Sequence, residues 1–225
     1  MIRFEQVHKR YPGGHEALAG VSFELGAGEF AFLTGHSGAG KSSLLRLILL
    51  LEHASSGQVL INGRNLGRLH RSQIPHYRRN LGVVLQNHHL LLDRSVYDNV
   101  ALPLLVSGYR PRDIGRRVRA ALDKVGLLTR AGNRPLELSS GEQQRVGIAR
   151  AVVHTPRILL ADEPTGNLDP ELSAEIMQLF SAFSDIGVTV LVATHDIGLV
   201  GALGKRRLRL SNGRLAAADE EVAVA

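Results

Sequence analysis

Gly35-His36-Ser37-Gly38-Ala39-Gly40-Lys41-Ser42, preceded by the apolar run Phe30 to Thr34 and followed by helical spacing at Leu44, Leu45, Ile48 and Leu51, decides the fold of this chain. The octet fills every fixed position of the phosphate-cradling pattern, and it stands between a buried strand and a helix, as the mechanism of that pattern requires. Its glycines let successive backbone N–H groups turn toward an anion, and the helix start adds partial positive charge. Lys41 is placed to reach the outer phosphates of a nucleotide and the Ser42 hydroxyl to ligate Mg²⁺, with Ser43 beside it in the first turn. A merely structural glycine-rich turn is the alternative, and the flanking strand and helix argue against it.

Downstream, Ile158-Leu159-Leu160-Ala161-Asp162-Glu163 reads as a buried strand that delivers two adjacent carboxylates to its C-terminal end, the edge of a parallel sheet where ligands bind. Asp162 suits Mg²⁺, and Glu163 suits orienting or deprotonating an attacking water, two roles that phosphoryl transfer to water needs. Alone, an apolar run ending in Asp-Glu also fits a helix cap; beside a phosphate loop it reads as a second half of one site. Val188 to Ala193 is a further buried strand. At the N-terminus, Ile2, Phe4 and Val7, then Val21, Phe23 and Leu25, alternate on either side of Pro12-Gly13-Gly14, the pattern of antiparallel strands joined by a turn. Asn62-Gly63 and Asn212-Gly213 mark two more hairpins. Residues 87–137 are rich in Leu and Arg, contain Pro103 and Pro111, and show helical spacing at Val118, Ala121, Leu122 and Val125. The expected architecture is α/β, a P-loop NTPase with a mainly parallel core sheet, an antiparallel β subdomain and a helical insert. Residues 1–86 and 138–225 form the nucleotide-binding core of one domain, 87–137 the helical subdomain, and the tail from Ala216 frays.

Leu138-Ser139-Ser140-Gly141-Glu142-Gln143-Gln144-Arg145 then opens a helical run to Val153, and Ser139 with the backbone N–H groups after it forms a second anion-binding helix start. Here the chain resembles the ABC ATPases. In that family, this signature of one subunit closes over the phosphates held by the other, so the resemblance implies a head-to-tail homodimer with two ATP molecules sandwiched between subunits, and Ser139, Ser140, Gly141 and Glu142 as nucleotide contacts. Ser140 departs from the commonest pattern, which has glycine there. The resemblance further implies that Tyr11 stacks on adenine, that Gln86 senses Mg²⁺ and the γ-phosphate, that Asn167-Leu168-Asp169 crosses the dimer interface, and that His195 contacts the γ-phosphate and positions water. The nucleotide contacts it implies thus run through Tyr11, Gly35, His36, Ser37, Gly38, Ala39, Gly40, Lys41, Ser42, Ser43 and Gln86. Lys41, Glu163 and His195 are the catalytic set, and Ser42, Gln86 and Asp162 hold Mg²⁺.

Gln86 to Val100, with Asp93-Arg94 and Tyr97-Asp98-Asn99, is similar to the cell-division branch of the family, as are His36, Ala39 and the run Gly141 to Val153. That implies an integral membrane partner of the FtsX type, gripped by the surface after Gln86, control of cell-wall hydrolysis, and contact with division-ring proteins. The alternative within the family is a lipoprotein-release or macrolide-export transporter, with the same chemistry and another partner. A DNA-repair ATPase would carry a long coiled-coil insertion and a translation factor two such domains, and a GTPase would carry Asn-Lys-x-Asp.

Composition sets limits on these readings. The 225 residues carry a net charge of +6 with 4% aromatics and no Trp, so the basic surface reads as a solvated face, with no specific nucleic-acid site expected. Zero cysteines exclude thiolate chemistry and disulfides. Leu44 to Leu51 is interrupted by Arg46 and too short to span a bilayer, and Met1-Ile2-Arg3-Phe4-Glu5 opens no apolar signal core. The expectation is a cytoplasmic chain, peripheral on the inner face of the membrane through its partner.

Overall fold

A strand order of β10-β9-β3-β8-β7-β6 makes the larger of two sheets, comprising β3 (Phe30–Thr34), β6 (Leu81–Val84), β7 (Ile158–Asp162), β8 (Thr189–Thr194), β9 (Arg206–Ser211) and β10 (Arg214–Leu215). The computed structural model describes residues 1–87, 89–166 and 168–216; the tail expected to fray lies almost wholly outside them. All pairings in this sheet are parallel except β9 with β10. The smaller sheet, ordered β2-β1-β4-β5, is antiparallel and joins β1 (Ile2–Arg10), β2 (Glu16–Leu25), β4 (Ser56–Ile61) and β5 (Arg64–Asn65). Helices α1 (Lys41–Ile48), α2 (Ile74–Arg78), α3 (Val96–Val106), α4 (Pro111–Lys124), α5 (Ser140–Val152), α6 (Pro170–Asp185) and α7 (Ile197–Leu203) connect the strands. Both expected Asn-Gly hairpins form, with positive φ at Asn62, Gly63, Asn212 and Gly213 as a two-residue turn of this hand requires.

Alternation along the parallel strands divides the core. Phe30, Phe32, Leu159, Ala161, Val190 and Val192 face a cluster with α3, α4, α5 and α6, whereas Ala31, Leu33, Leu160, Leu191 and Ala193 face α1 and the antiparallel sheet. Strands buried on both faces read as unbroken apolar runs, which is why β3, β7 and β8 stood out in the sequence. The helical spacing expected around Val118 forms: Ile114, Val118, Ala121 and Leu122 bury one face of α4, and Pro111 stands at its first position.

One boundary differs from the apolar spacing. That spacing runs to Leu51, but α1 ends at Ile48, because Leu50 takes a left-handed φ of 53° while Leu51 N donates to Arg46 O and Leu50 N to Leu47 O. These two bonds close the helix with a leucine where glycine is usual, so no sequence signal announced the stop. Leu51 is thereby turned outward and exposed.

His154, just past α5, fastens that helix to β6 by donating from Nε2 to the Leu81 carbonyl at 3.1 Å. Burial holds its pKa below the ordinary histidine value, and its buried Nδ1 has no partner among the described residues. The folded state thus prefers the neutral ring. Its contribution is full above the unfolded-state pKa of about 6.5 and is lost as pH falls below that value. The urea midpoint is expected to drop between pH 7.5 and 5.5, and His154→Gln should flatten part of that dependence; parallel curves for the two proteins would refute it.

Candidate active site

β3, β7 and β8 end side by side at the carboxyl edge of the parallel sheet, and each hands a different chemical group to one cleft of about 620 Å³. The loop after β3 supplies His36 through Gly40 and then Lys41, Ser42 and Ser43 on α1. Gly35 and Gly40 adopt φ of +154° and +108°, and a Cβ on either would land on a backbone carbonyl, that of Leu210 or of Ala17. Gly40 caps α1 with no side-chain hydrogen bond and no acid lies in the first turn, leaving the helix's first N–H groups facing the cleft. That is the electrostatics of an anion site. The Lys41 ammonium, only 8% exposed, donates to Gly35 O at 2.7 Å and His36 O at 3.3 Å and stands 3.7 Å from Glu163 Oε1.

Glu163, at the end of β7, is held at φ +47°, a left-handed conformation that costs a non-glycine residue of order 1–2 kcal/mol. Its N–H donates to Ala193 O at 2.9 Å and its carbonyl accepts from Gly166 at 3.2 Å, so neighbouring strand and turn hold the strained residue in place. The carboxylate then lies between Lys41 on one oxygen and His195 Nδ1 at 3.0 Å on the other, with the His195 N–H at 3.4 Å. Asp162 lies alongside. Burial raises its pKa, while a hydrogen bond from Ser42 and the charges of Lys41 and Arg46 oppose the rise. A desolvated carboxylate bonded to a neutral hydroxyl, with the Gln86 amide on the same wall, is a hard-oxygen donor set suited to a divalent cation that also takes phosphate oxygens. Among the described residues no cluster of three His, Cys, Asp or Glu could hold a metal unaided.

Of the expected site residues, His36, Ser37, Gly38, Ala39, Gly40, Lys41, Ser42, Ser43, Gln86, Asp162, Glu163 and His195 line this cleft. Tyr11 does not line it: its hydroxyl lies 3.1 Å from Ser43 Oγ, and the Lys9 ammonium sits 4.9 Å from its ring centroid. His15 and Ala17 line the cleft from the same hairpin and were missed. The Pro12-Gly13-Gly14 turn was their signal, because it brings residue 15 back against residue 11, whose N–H donates to His15 O. Ser139, Ser140, Gly141 and Glu142 lie apart from the cleft at the start of α5. Ser139 Oγ accepts from Glu142 N, Glu142 Oε2 accepts from Ser139 N, and that backbone bond leads the causes holding the Glu142 pKa below the ordinary range. Ser140 is exposed, whereas a Cβ on buried Gly141 would strike the Leu172 side chain on α6. The departure from the family pattern therefore falls on the position with room for it. Asn167 and His88 lie outside the described residues; Asp169 caps α6, its carboxylate accepting from Leu172 N.

The family model described as ABC transporter matches residues 18–166. The cell division ATP-binding protein FtsE of Escherichia coli K12 is 59% identical over 215 residues, covering 96% of this chain and 97% of that protein. FtsE of Haemophilus influenzae is 51% identical with 96% and 99% covered, and FtsE of Bacillus subtilis 43% with 95% and 93% covered. Among solved structures, the dimeric bacterial ABC transporter cassette MJ0796 superposes with a TM-score of 0.87 at 35% identity, covering 96% of this chain and 97% of that one. Its dimeric post-hydrolysis state bound to ADP and Pi gives 0.87 at 34% with the same coverage.

Proposed function

This chain belongs to the ABC transporter ATPase family, and from that premise we propose that it is the ATP-hydrolysing subunit of a bacterial cell-division complex of the FtsE–FtsX type. The observation that carries the reading is near-full-length identity to cell-division ATPases, joined to a cleft in which Lys41, Ser42, Gln86, Asp162, Glu163 and His195 meet.

In this reading the triphosphate lies along the loop from Gly35 to Ser43, with Lys41 and the first N–H groups of α1 compensating its charge. The adenine lies toward the hairpin end that carries Tyr11 and His15. Ser42, Asp162 and Gln86 would hold Mg²⁺, which would supply positive charge to offset that of the phosphates. Glu163 accepts a proton from water as the water oxygen bonds to the γ-phosphorus and the bridging P–O bond breaks, giving ADP and phosphate. His195, 3.0 Å from the carboxylate, keeps Glu163 oriented and contacts the γ-phosphate. The turn from Ser139 to Glu142 lies outside the chain's own cleft, so its place is over the nucleotide of a second copy in a homodimer. Residues 87–137 then act as a helical lobe against the nucleotide-binding lobe.

A groove of about 360 Å³ borders the cleft and shares Ser42, Gln86 and Asp162 with it; Leu45, Leu49 and Leu51 line it on the other side. Exposed Leu91 and Leu92 follow in the insert. This is where the cytoplasmic part of an FtsX-type partner docks, putting partner movement in contact with the Mg²⁺ residues and coupling ATP turnover to control of cell-wall hydrolysis. Among the described residues no helix is long and apolar enough to cross a membrane, so the attachment to the inner face of the membrane runs through that partner. The test is a pull-down from detergent-solubilised membranes with the Glu163→Gln protein and Mg-ATP as bait. An FtsX-like protein, with or without division-ring components, is the expected catch. A lipoprotein- or drug-handling permease would move the function to transport and leave the chemistry in place.

A further inference from the structure

Between β6 and α3 the chain from Leu85 to Ser95 forms neither strand nor helix among its described residues, yet Gln86 on it must be placed against the Mg²⁺ side of the cleft. Gln86 does stand there, its Nε2 within 3.6 Å of where a Cβ on Gly166 would lie, in the turn that follows Glu163. Two side chains from different helices hold the backbone of this connection. Asn99 of α3 is completely buried; its Oδ1 accepts from Leu91 N at 2.8 Å, and its Nδ2 donates to Leu91 O at 3.0 Å and Ser95 O at 2.9 Å. Arg150 of α5 donates from Nη1 to His89 O at 2.9 Å, where His89 takes a left-handed φ of 45°.

Position 150 could have been filled by an apolar side chain at no desolvation cost. A guanidinium is there instead, and burial lowers its pKa. Two residues separate Gln86 from His89, which stand at most about 10 Å apart along the chain, so a shift of the His89 carbonyl is felt at Gln86. Arg150 also lies ten residues along the same uninterrupted helix as Ser140, about 15 Å away by helical rise. A helix moves as one body, so displacement of its first turn displaces the guanidinium.

We propose that Arg150 is a positioning residue that ties the loop carrying Gln86 to α5, so that closure of a second copy's nucleotide on Ser139 to Glu142 of this chain sets Gln86 in this chain's own cleft. This rests on the reading of Gln86 as an Mg²⁺ and γ-phosphate sensor, and the test separates the two. Arg150→Ala should bind a fluorescent ATP analogue within twofold of the native protein but turn over about tenfold more slowly or worse, the loss expected for one charge-assisted hydrogen bond. Its Mg²⁺ requirement for half-maximal rate should rise at least threefold. Arg150→Lys, which keeps charge and length, should restore part of both.

Because Arg150 acts through Gln86, the double variant Arg150→Ala/Gln86→Ala should be no slower than Gln86→Ala alone, whereas independent effects would multiply. Multiplying effects, or native turnover and Mg²⁺ requirement in Arg150→Ala beside an impaired Gln86→Ala, would overturn the proposal while sparing the Gln86 reading. A Gln86→Ala protein with native turnover would remove that reading and the proposal together. If Arg150→Ala lowers the melting midpoint, its kinetics are read well below that midpoint: native turnover and Mg²⁺ requirement in the folded Ala variant would make the arginine structural only.

Discussion

Glu163→Gln is expected to slow ATP turnover by about 10² to 10⁴-fold, the usual worth of a positioned general base, while leaving ATP affinity within a few-fold. The amide has the carboxylate's shape, so the left-handed backbone at φ +47° and the bonds to Ala193 and Gly166 remain available to it. It cannot take a proton from water. Lys41, now 3.7 Å from a neutral group, has its full charge left for the phosphates, so binding should not weaken. With binding kept and hydrolysis stopped, the ATP-bound dimer should accumulate. Phosphate release and size-exclusion chromatography with Mg-ATP check both halves. Turnover within threefold of the native protein would remove Glu163 from the chemistry, and a monomeric ATP-bound variant would count against the head-to-tail sandwich.

Lys41→Ala should weaken ATP binding by about 2–5 kcal/mol, roughly 30- to 4000-fold, as expected when one member of a desolvated charge pair is truncated. The ammonium is 8% exposed and holds two carbonyls of the phosphate loop, at Gly35 and His36, so its loss removes charge compensation and a brace of the loop together. Lys41→Arg would separate the two effects: it restores the charge, but a planar fork does not fit where a compact ammonium reaches two carbonyls. Calorimetric titration with ATP provides the measurement. Unchanged affinity in Lys41→Ala would break the assignment of this loop as the triphosphate site.

Much of this site was legible because its parts are local. A phosphate loop is eight consecutive residues, and its cradle is made by backbone N–H groups whose direction the glycines fix, so Gly35 to Ser42 could be read without knowing what packs around them. Asp162 and Glu163 end a strand whose burial on both faces makes an unbroken apolar run. The two Asn-Gly hairpins and the helix start at Ser139 are likewise local, since each is set within a few residues. The end of α1 was not legible, because leucine at position 50 adopts a conformation that the sequence offers no reason to expect. His15 and Ala17 were missed although the Pro12-Gly13-Gly14 turn marked the return of the chain, because only the folded hairpin shows that this return ends at the cleft.

Order and chemistry along the chain were therefore sufficient for the fold class, the phosphate loop and the paired carboxylates, since each depends on neighbours in sequence and on the period of burial, whereas His195 was singled out by the family resemblance alone. Folding alone decided the rest. That the Glu163 carboxylate is shared between Lys41 and His195, that the Ser139 turn stands away from the chain's own cleft, and that Arg150 reaches the backbone behind Gln86 are contacts between residues 32 to 122 positions apart. Such contacts are fixed by sheet register, with Asp162 opposite Ala193 and Thr34 opposite Thr194, and by the angle at which helices lie on the sheet. Those are properties of packed elements, and no residue pattern along a single strand or helix encodes them.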